Sequence, residues 1–223
     1  MALDIINNDL RVNGDFSATT MTLAASSVTN ATVSSSAAIA RTKLAQNSAS
    51  RYTIPLSEMR VWNAFATPLT DTANADDLGL VDGTFGTGVP TIQAGDVGNT
   101  ASTRYCRFTW ALPPEYVDGE TVTVRLRGAV CTTVCNNSCT VDVECYTSDR
   151  DGSSTGDICT TAATTINAVA DTYVNCDFTL EPATLVNGML LDFRLAIIYD
   201  DDGDAGVMIP EIAQVEMLID IQG

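Results

Sequence analysis

The sequence predicts an all-β fold, an antiparallel β-sandwich over residues 51–223 preceded by an extended N-terminal segment over residues 1–50. Three observations carry this. Thr, Ser, Ala, Val, Asn and Asp dominate the chain, a mix that suits strands and turns better than helices. Beyond Tyr52 the apolar residues recur with period two between turn signals. Hydrophobic residues make up 45% of the 223, enough for a sizeable core in one sandwich.

Taken in chain order, the first segment differs from the rest. Val12-Asn13-Gly14-Asp15-Phe16 reads as a small turn between short apolar stretches. A Ser/Thr/Ala-rich run follows to Ser50, with single apolar residues at Met21, Leu23, Val28, Val33, Ile39 and Leu44, spaced at neither the strand nor the helix period. Alone, such a segment buries too little apolar surface to offset the entropy of ordering it. It is therefore a disordered tail, or it is ordered by winding around identical copies or docking on a partner.

Strands come next. Cys106, Phe108, Trp110 and Leu112 alternate with polar residues until Pro113-Pro114 stops the run. Val122, Val124 and Leu126 repeat the pattern, and Gly128 reads as a bulge that switches the inward face. That switch turns Cys131 and Cys135 inward, with Val141, Val143 and Cys145 across a turn at Asn136-Asn137-Ser138, and sets Cys135 opposite Cys139. Cys176, Phe178 and Leu180 mark a further strand, Leu191 to Tyr199 another, and Val215 to Ile221 the last. Eight to ten strands are expected in all.

The seven cysteines leave at least one without an intramolecular partner. They are read either as buried free thiols or as including a Cys135–Cys139 bridge across a tight turn. The Cys-x3-Cys-x3-Cys spacing is not a zinc pattern, and the chain contains no histidine to complete one.

Charge and chemistry narrow the function. Eleven basic residues face 28 acidic ones, a net −17, and Lys43 is the sole lysine. So negative a chain repels phosphate backbones and anionic membranes, so neither nucleic acid nor membrane is expected as a partner. Divalent cations or basic protein surfaces are permitted. The lack of histidine removes the commonest general base and the usual Ser and Cys triads, and a non-enzymatic role is expected. No cofactor is expected apart from calcium. For calcium, Asp200, Asp202 and Asp204 have the alternate spacing of a calcium loop, and Glu211 falls where a closing acid would lie. Ala205 stands where such a loop has glycine and the flanks are strands, so this is no EF-hand; a solvated hairpin loop is the other reading. Asp149-Arg150-Asp151-Gly152, with Asp157, is a lesser candidate. Trp62, Trp110, Tyr105, Tyr116, Tyr146 and Tyr173 are candidates for a sugar or protein surface. Among them Trp110 has core parity, whereas Tyr105 and Tyr146 have the opposite parity. The opening residues carry no basic, apolar secretory pattern, and synthesis in a cytoplasm is the expectation.

Two stretches carry a resemblance. Leu10-Arg11-Val12-Asn13-Gly14-Asp15-Phe16, Met21-Thr22-Leu23, Ser27-Val28-Thr29-Asn30-Ala31 and Ala37-Ala38-Ile39-Ala40-Arg41-Thr42-Lys43-Leu44 resemble the N-terminal segments of tailed-bacteriophage virion proteins, as on head fibres, decoration proteins and neck or tail fibres. The resemblance implies a trimeric attachment stalk, with Leu10, Val12, Phe16, Leu23, Val28, Ile39 and Leu44 as particle-anchoring residues. The phrase from Phe178 to Leu191 resembles a late hairpin of viral and phage jelly-roll domains, which favours a jelly-roll-like sandwich over an immunoglobulin-like one. Together they imply a virion-surface structural protein, a homotrimeric capsid decoration or short fibre that contacts other virion proteins such as capsid or neck proteins. The alternative is a glycan-binding, host-adhesion module that recognises a host-surface glycan. A bacterial surface enzyme or adhesin is a third reading.

Overall fold

In the computed structural model the described residues are 4–6, 9–11, 47–147, 156–201 and 206–222. The chain divides into two compact units, residues 1–43 and 44–223. In the first, β1 (Asp4–Ile6) and β2 (Asp9–Arg11) pair antiparallel, Ile5 opposite Leu10. Val12, Phe16, Leu23, Val28, Ile39 and Leu44 lie outside the described residues.

The second unit is a two-sheet antiparallel sandwich of ten described strands. They are β3 (Asn47–Ile54), β4 (Gly79–Val81), β5 (Thr91–Gln93), β6 (Ala101–Ala111), β7 (Val122–Cys131), β8 (Ser138–Thr147), β9 (Thr164–Thr165), β10 (Val174–Thr179), β11 (Leu190–Asp200) and β12 (Ile209–Gln222). β3 already opens at Asn47: residues 47–50 pair with the end of β12.

Strands β5 to β12 pair like the two arms of one long hairpin: β5 with β12, β6 with β11, β7 with β10 and β8 with β9. Rolling that hairpin over a core places alternate pairs in opposite sheets. One sheet then reads β10-β7-β12-β5-β4, with β3 also on β12, and the other reads β6-β11-β8-β9. This is the jelly-roll order, not the immunoglobulin-like one.

Alternation explains the core. Leu191, Phe193, Leu195, Ile197 and Tyr199 of β11 point inward against Cys106 and Phe108 of β6 and Val141, Val143 and Cys145 of β8. Phe108 and Phe193 stack at 4.7 Å, with their planes 11° apart. Val122, Val124, Leu126, Phe178, Val215, Met217 and Ile219 answer from the opposite sheet. Each such buried side chain contributes about 1.5–3 kcal/mol from area alone.

The bulge falls elsewhere than the sequence predicts. Parity in β7 runs unbroken from Val122 to Val130, and the register shift lies on β12 between Ile212 and Gln214. Gly128 is required by close approach instead: a Cβ there would lie 3.0 Å from Ile166 Cγ2 and 3.2 Å from the Glu211 carbonyl oxygen. With no switch in β7, Cys131 points out of the core, whereas Cys135 and Cys139 are both buried in it.

Candidate functional site

The outer face of the β6-β11-β8 sheet carries the residues of opposite parity, brought into rows by the register. Arg107, Arg194 and Glu144 form one row, and Tyr105, Ala196 and Asp142 the next. Thr109, Asp192 and Tyr146 flank the first row, and Thr103, Ile198 and Thr140 flank the second. Ala196 is the smallest side chain at the centre of this face. Around it a pocket of about 100 Å3 opens, lined by Thr103, Tyr105, Asp142, Glu144, Arg194, Ala196 and Ile198.

Two loops complete the site by docking on the outer edge of β6. The first exchanges backbone hydrogen bonds between Arg60 and Arg107 (2.8 and 3.0 Å) and closes on itself where the Val61 N–H donates to the Thr67 carbonyl at 3.0 Å. It carries Trp62 and Phe65. The second, a turn at Asn74–Asp77, accepts the Tyr105 N–H at the Asp76 carbonyl (2.8 Å), while the Leu78 N–H donates to the Tyr105 carbonyl (2.9 Å). An edge strand is thereby covered, as unpaired edges generally are in folded proteins. The Trp62 indole N–H donates to Asp76 Oδ2 at 3.0 Å, which fixes the ring beside Tyr105, 5.2 Å between centroids and tilted by 50°.

Both arginines on this face are compensated. The Arg194 guanidinium lies over the Tyr105 ring at 4.7 Å and the Trp62 ring at 5.3 Å, and donates to Glu144 Oε1 at 2.6 Å. Arg107 lies over Phe65 at 5.0 Å and engages Asp192 through both carboxylate oxygens, its Nε at 2.7 Å from Oδ1. These bonds to Glu144 and Asp192 push both guanidiniums further into their charged form. Asp142 has no such cation bonded to it. Its Oδ1 accepts only the Val143 N–H, at 3.0 Å. Burial first, and then the charges of Glu144 and Asp157, raise its carboxyl above the ordinary value, with Arg194 pulling the other way. Asp77 is raised likewise, by burial and then by Asp76, and its Oδ1 is buried with no hydrogen-bond partner.

The residues singled out from the sequence divide. Tyr105 and Trp62 meet on this face, and Tyr146 lies on it two rows away, opposite Asp192. Trp110 sits at the core margin, 5.7 Å from Tyr52, and Tyr116 is buried. Tyr173 lies on the other sheet, where its hydroxyl donates to Glu211 Oε1. Glu211 is buried there. Its Oε1 also takes the Cys131 thiol (3.3 Å), and its Oε2 takes the Thr91 hydroxyl (3.0 Å) and the Gln93 amide (2.8 Å). Burial, followed by the charge of Glu211, pushes the Cys131 thiol up to about 12.

Asp200 accepts the Asn137 side-chain amide at 3.0 Å. Its neighbour Asp201 is fully buried and accepts the backbone N–H groups of Asn136 (2.7 Å) and Asn99 (3.1 Å). Asp202, Asp204 and residues 149–152 lie outside the described residues. Asp157 caps a turn, accepting the Cys145 and Cys159 N–H groups at 2.9 Å each. Among the described residues, no group of three or more Cys, Asp or Glu is placed to hold a metal ion. All seven cysteines are free thiols, so Cys135 and Cys139, both buried, are not bridged.

Arg107, Arg194, Asp142 and Glu144 were not singled out by sequence. Their one signal was charge at outward parity on three strands, which reads equally well as a solvated face.

No family model and no curated protein matches the chain. Among solved structures it is similar to a xylan-binding module, CBM15, at 11% identity and a TM-score of 0.42, over 80% of this chain and all of that one. It is similar also to a putative sugar binding protein from Bacteroides thetaiotaomicron, at 11% identity and 0.37, over 71% of this chain and 98% of that one. A third is a structure of infectious bursal disease virus, at 14% identity and 0.35, over 64% of this chain and 35% of that one. Likeness at this level concerns the β-sandwich architecture alone.

Proposed function

We propose that the chain is a non-enzymatic binding module that holds a saccharide on the outer face of the β6-β11-β8 sheet. The observation that carries this reading is the pocket floored by Ala196, with Tyr105, backed by the Trp62 ring, on one wall, Asp142 and Glu144 on the other, and Arg194 between them. A sugar ring has an apolar C–H face and a rim of hydroxyls. Aromatic rings supply contact area for the first at low entropic cost, and carboxylates accept from the second as charge-assisted hydrogen bonds. Convergent polar groups in a partly apolar concavity are the usual form of a small-molecule site.

The test is a glycan array followed by calorimetric titration of the hits. Trp62→Ala and Tyr105→Ala are expected to weaken binding at least tenfold with unchanged circular dichroism, while Tyr173→Phe, on the other sheet, leaves it intact. Array silence, or binding indifferent to both ring deletions, overturns the reading.

A second reading concerns the first unit. The resemblance of residues 10–44 to phage attachment segments, and the division of the chain into units 1–43 and 44–223, support a particle-anchored homotrimer that displays this module as a capsid decoration or short fibre. Calcium at Asp200, Asp202 and Asp204 belongs to the same reading. Light scattering with and without a chelator tests both: a trimer that dissociates on chelation supports them, and a monomer indifferent to chelation removes them.

A further inference from the structure

The same face carries a preference about ligand charge, which rests on the saccharide reading above. Asp142, Glu144 and Asp192 lie on it, and Asp76 and Asp77 lie at its edge, against the two guanidiniums of Arg107 and Arg194. Each cation already has a carboxylate partner on this face. Arg107 is held by Asp192 through both carboxylate oxygens, and Arg194 is held by Glu144 and covered by two rings. Asp142, in contrast, lines the pocket with one oxygen taken by a backbone N–H and no cation bonded to it. A ligand hydroxyl donates to such an oxygen and lowers the cost of its burial. A ligand carboxylate meets a like charge that is offset only by the Val143 N–H and by Arg194, itself paired with Glu144, in a partly desolvated place where screening is weak.

We infer that the pocket selects uncharged saccharides and rejects acidic ones, uronates and sialic-acid-type sugars, with Asp142 as the specificity-determining residue. Asp142 receives hydroxyls, and it repels any carboxylate that the Trp62–Tyr105 rings bring over the pocket. The Arg194–Glu144 pair turns its polar edge to the ligand without offering net positive charge.

The experiment titrates the full chain, by tryptophan fluorescence and calorimetry, with matched neutral and uronate oligosaccharides, for example galacto- against galacturono-oligosaccharides, at low and high salt. The neutral member is expected to bind at least tenfold more tightly at low salt, and the gap narrows as salt rises. Asp142→Asn keeps an acceptor oxygen and removes the charge, so it strengthens the acidic member and closes most of the gap. Equal binding of both members by the wild type, with both lost in Trp62→Ala, overturns the charge selection and leaves the saccharide site standing. A gap that survives Asp142→Asn overturns the role of that residue. If neither member of any pair binds, or if binding is indifferent to Trp62→Ala, the saccharide reading falls and this inference falls with it.

Discussion

Replacing Glu211 by glutamine separates two accounts of that residue. If Glu211 closes a calcium loop with Asp200, Asp202 and Asp204, its loss matters only when calcium is bound. The structure supplies another role: a buried carboxylate that receives four neutral donors, from Thr91, Gln93, Tyr173 and Cys131, and ties β5, β7 and the approach to β10 onto β12. In Glu211→Gln one oxygen becomes an NH2 group that faces two donors, and the other two contacts lose their charge. Hydrogen bonds to charged groups contribute about 1.5–3 kcal/mol each. Relief of the buried charge offsets part of the loss, so a net cost of about 2 kcal/mol follows. In a domain of this size that lowers Tm by about 4–8 °C. Thermal unfolding followed by circular dichroism, in calcium and in chelator, reads it directly. Equal losses in both buffers are expected, with Tyr173→Phe costing about 1 kcal/mol because the carboxylate keeps three donors. An unchanged Tm, or a loss confined to the calcium buffer, refutes the reasoning.

Three further outcomes are expected. Phe193→Ala removes half of the stacked Phe108–Phe193 pair at the centre of the sandwich and costs about 3–5 kcal/mol, seen as a lower urea midpoint at unchanged slope; a cost below about 1 kcal/mol would refute the packing argument. Arg125 donates to both oxygens of Asp177, at 2.6 and 2.7 Å, and holds that carboxyl below its ordinary 3.8. A depressed carboxyl stabilises fully above its unfolded value and loses that contribution as pH falls through the folded one. Because the Asp177 side chain is 46% exposed, Arg125→Ala costs at most about 1 kcal/mol. The deficit should shrink on acidification through the carboxylate range, and one that grows contradicts the sign. Finally, exposure to oxidised glutathione is expected to convert the neighbouring Cys135 and Cys139 thiols to a disulfide, lowering the intact mass by two hydrogens; a Cys135→Ser variant that still loses them assigns the bridge elsewhere.

Most of the sandwich was legible because its strands are long and one face of each is buried. The runs from Cys106, Val122, Cys176, Leu191 and Val215 alternate cleanly, and the structure keeps each of these parities. What misled was local. Gly128 reads as a bulge from sequence because a glycine inside a strand commonly marks one. Here it makes room for Ile166, a residue 38 positions later that no periodicity places opposite it. The break in register came instead at Ala213 on the partner strand, in a stretch, Glu211 to Glu216, that carries no glycine. Short strands such as β4, β5 and β9, two or three residues each, are held by neighbours and have no period to detect.

The candidate site was less legible because its arrangement is a property of register across strands, while sequence displays one strand at a time. Asp192–Arg194, Arg107 and Asp142–Glu144 each look like ordinary solvated charge. Only the antiparallel pairing puts Arg194 between Arg107 and Glu144, and Ala196 between Tyr105 and Asp142. Trp62 adds a second difficulty. It arrives from a loop whose only periodic feature is its docking on β6, so its place beside Tyr105 depends on the backbone of Arg60 and the side chain of Asp76. The small size of Ala196 is then decisive, since any larger residue at that outward position would fill the pocket that its neighbours enclose. An alanine among polar outward residues therefore carries as much information about this face as the aromatic rings do.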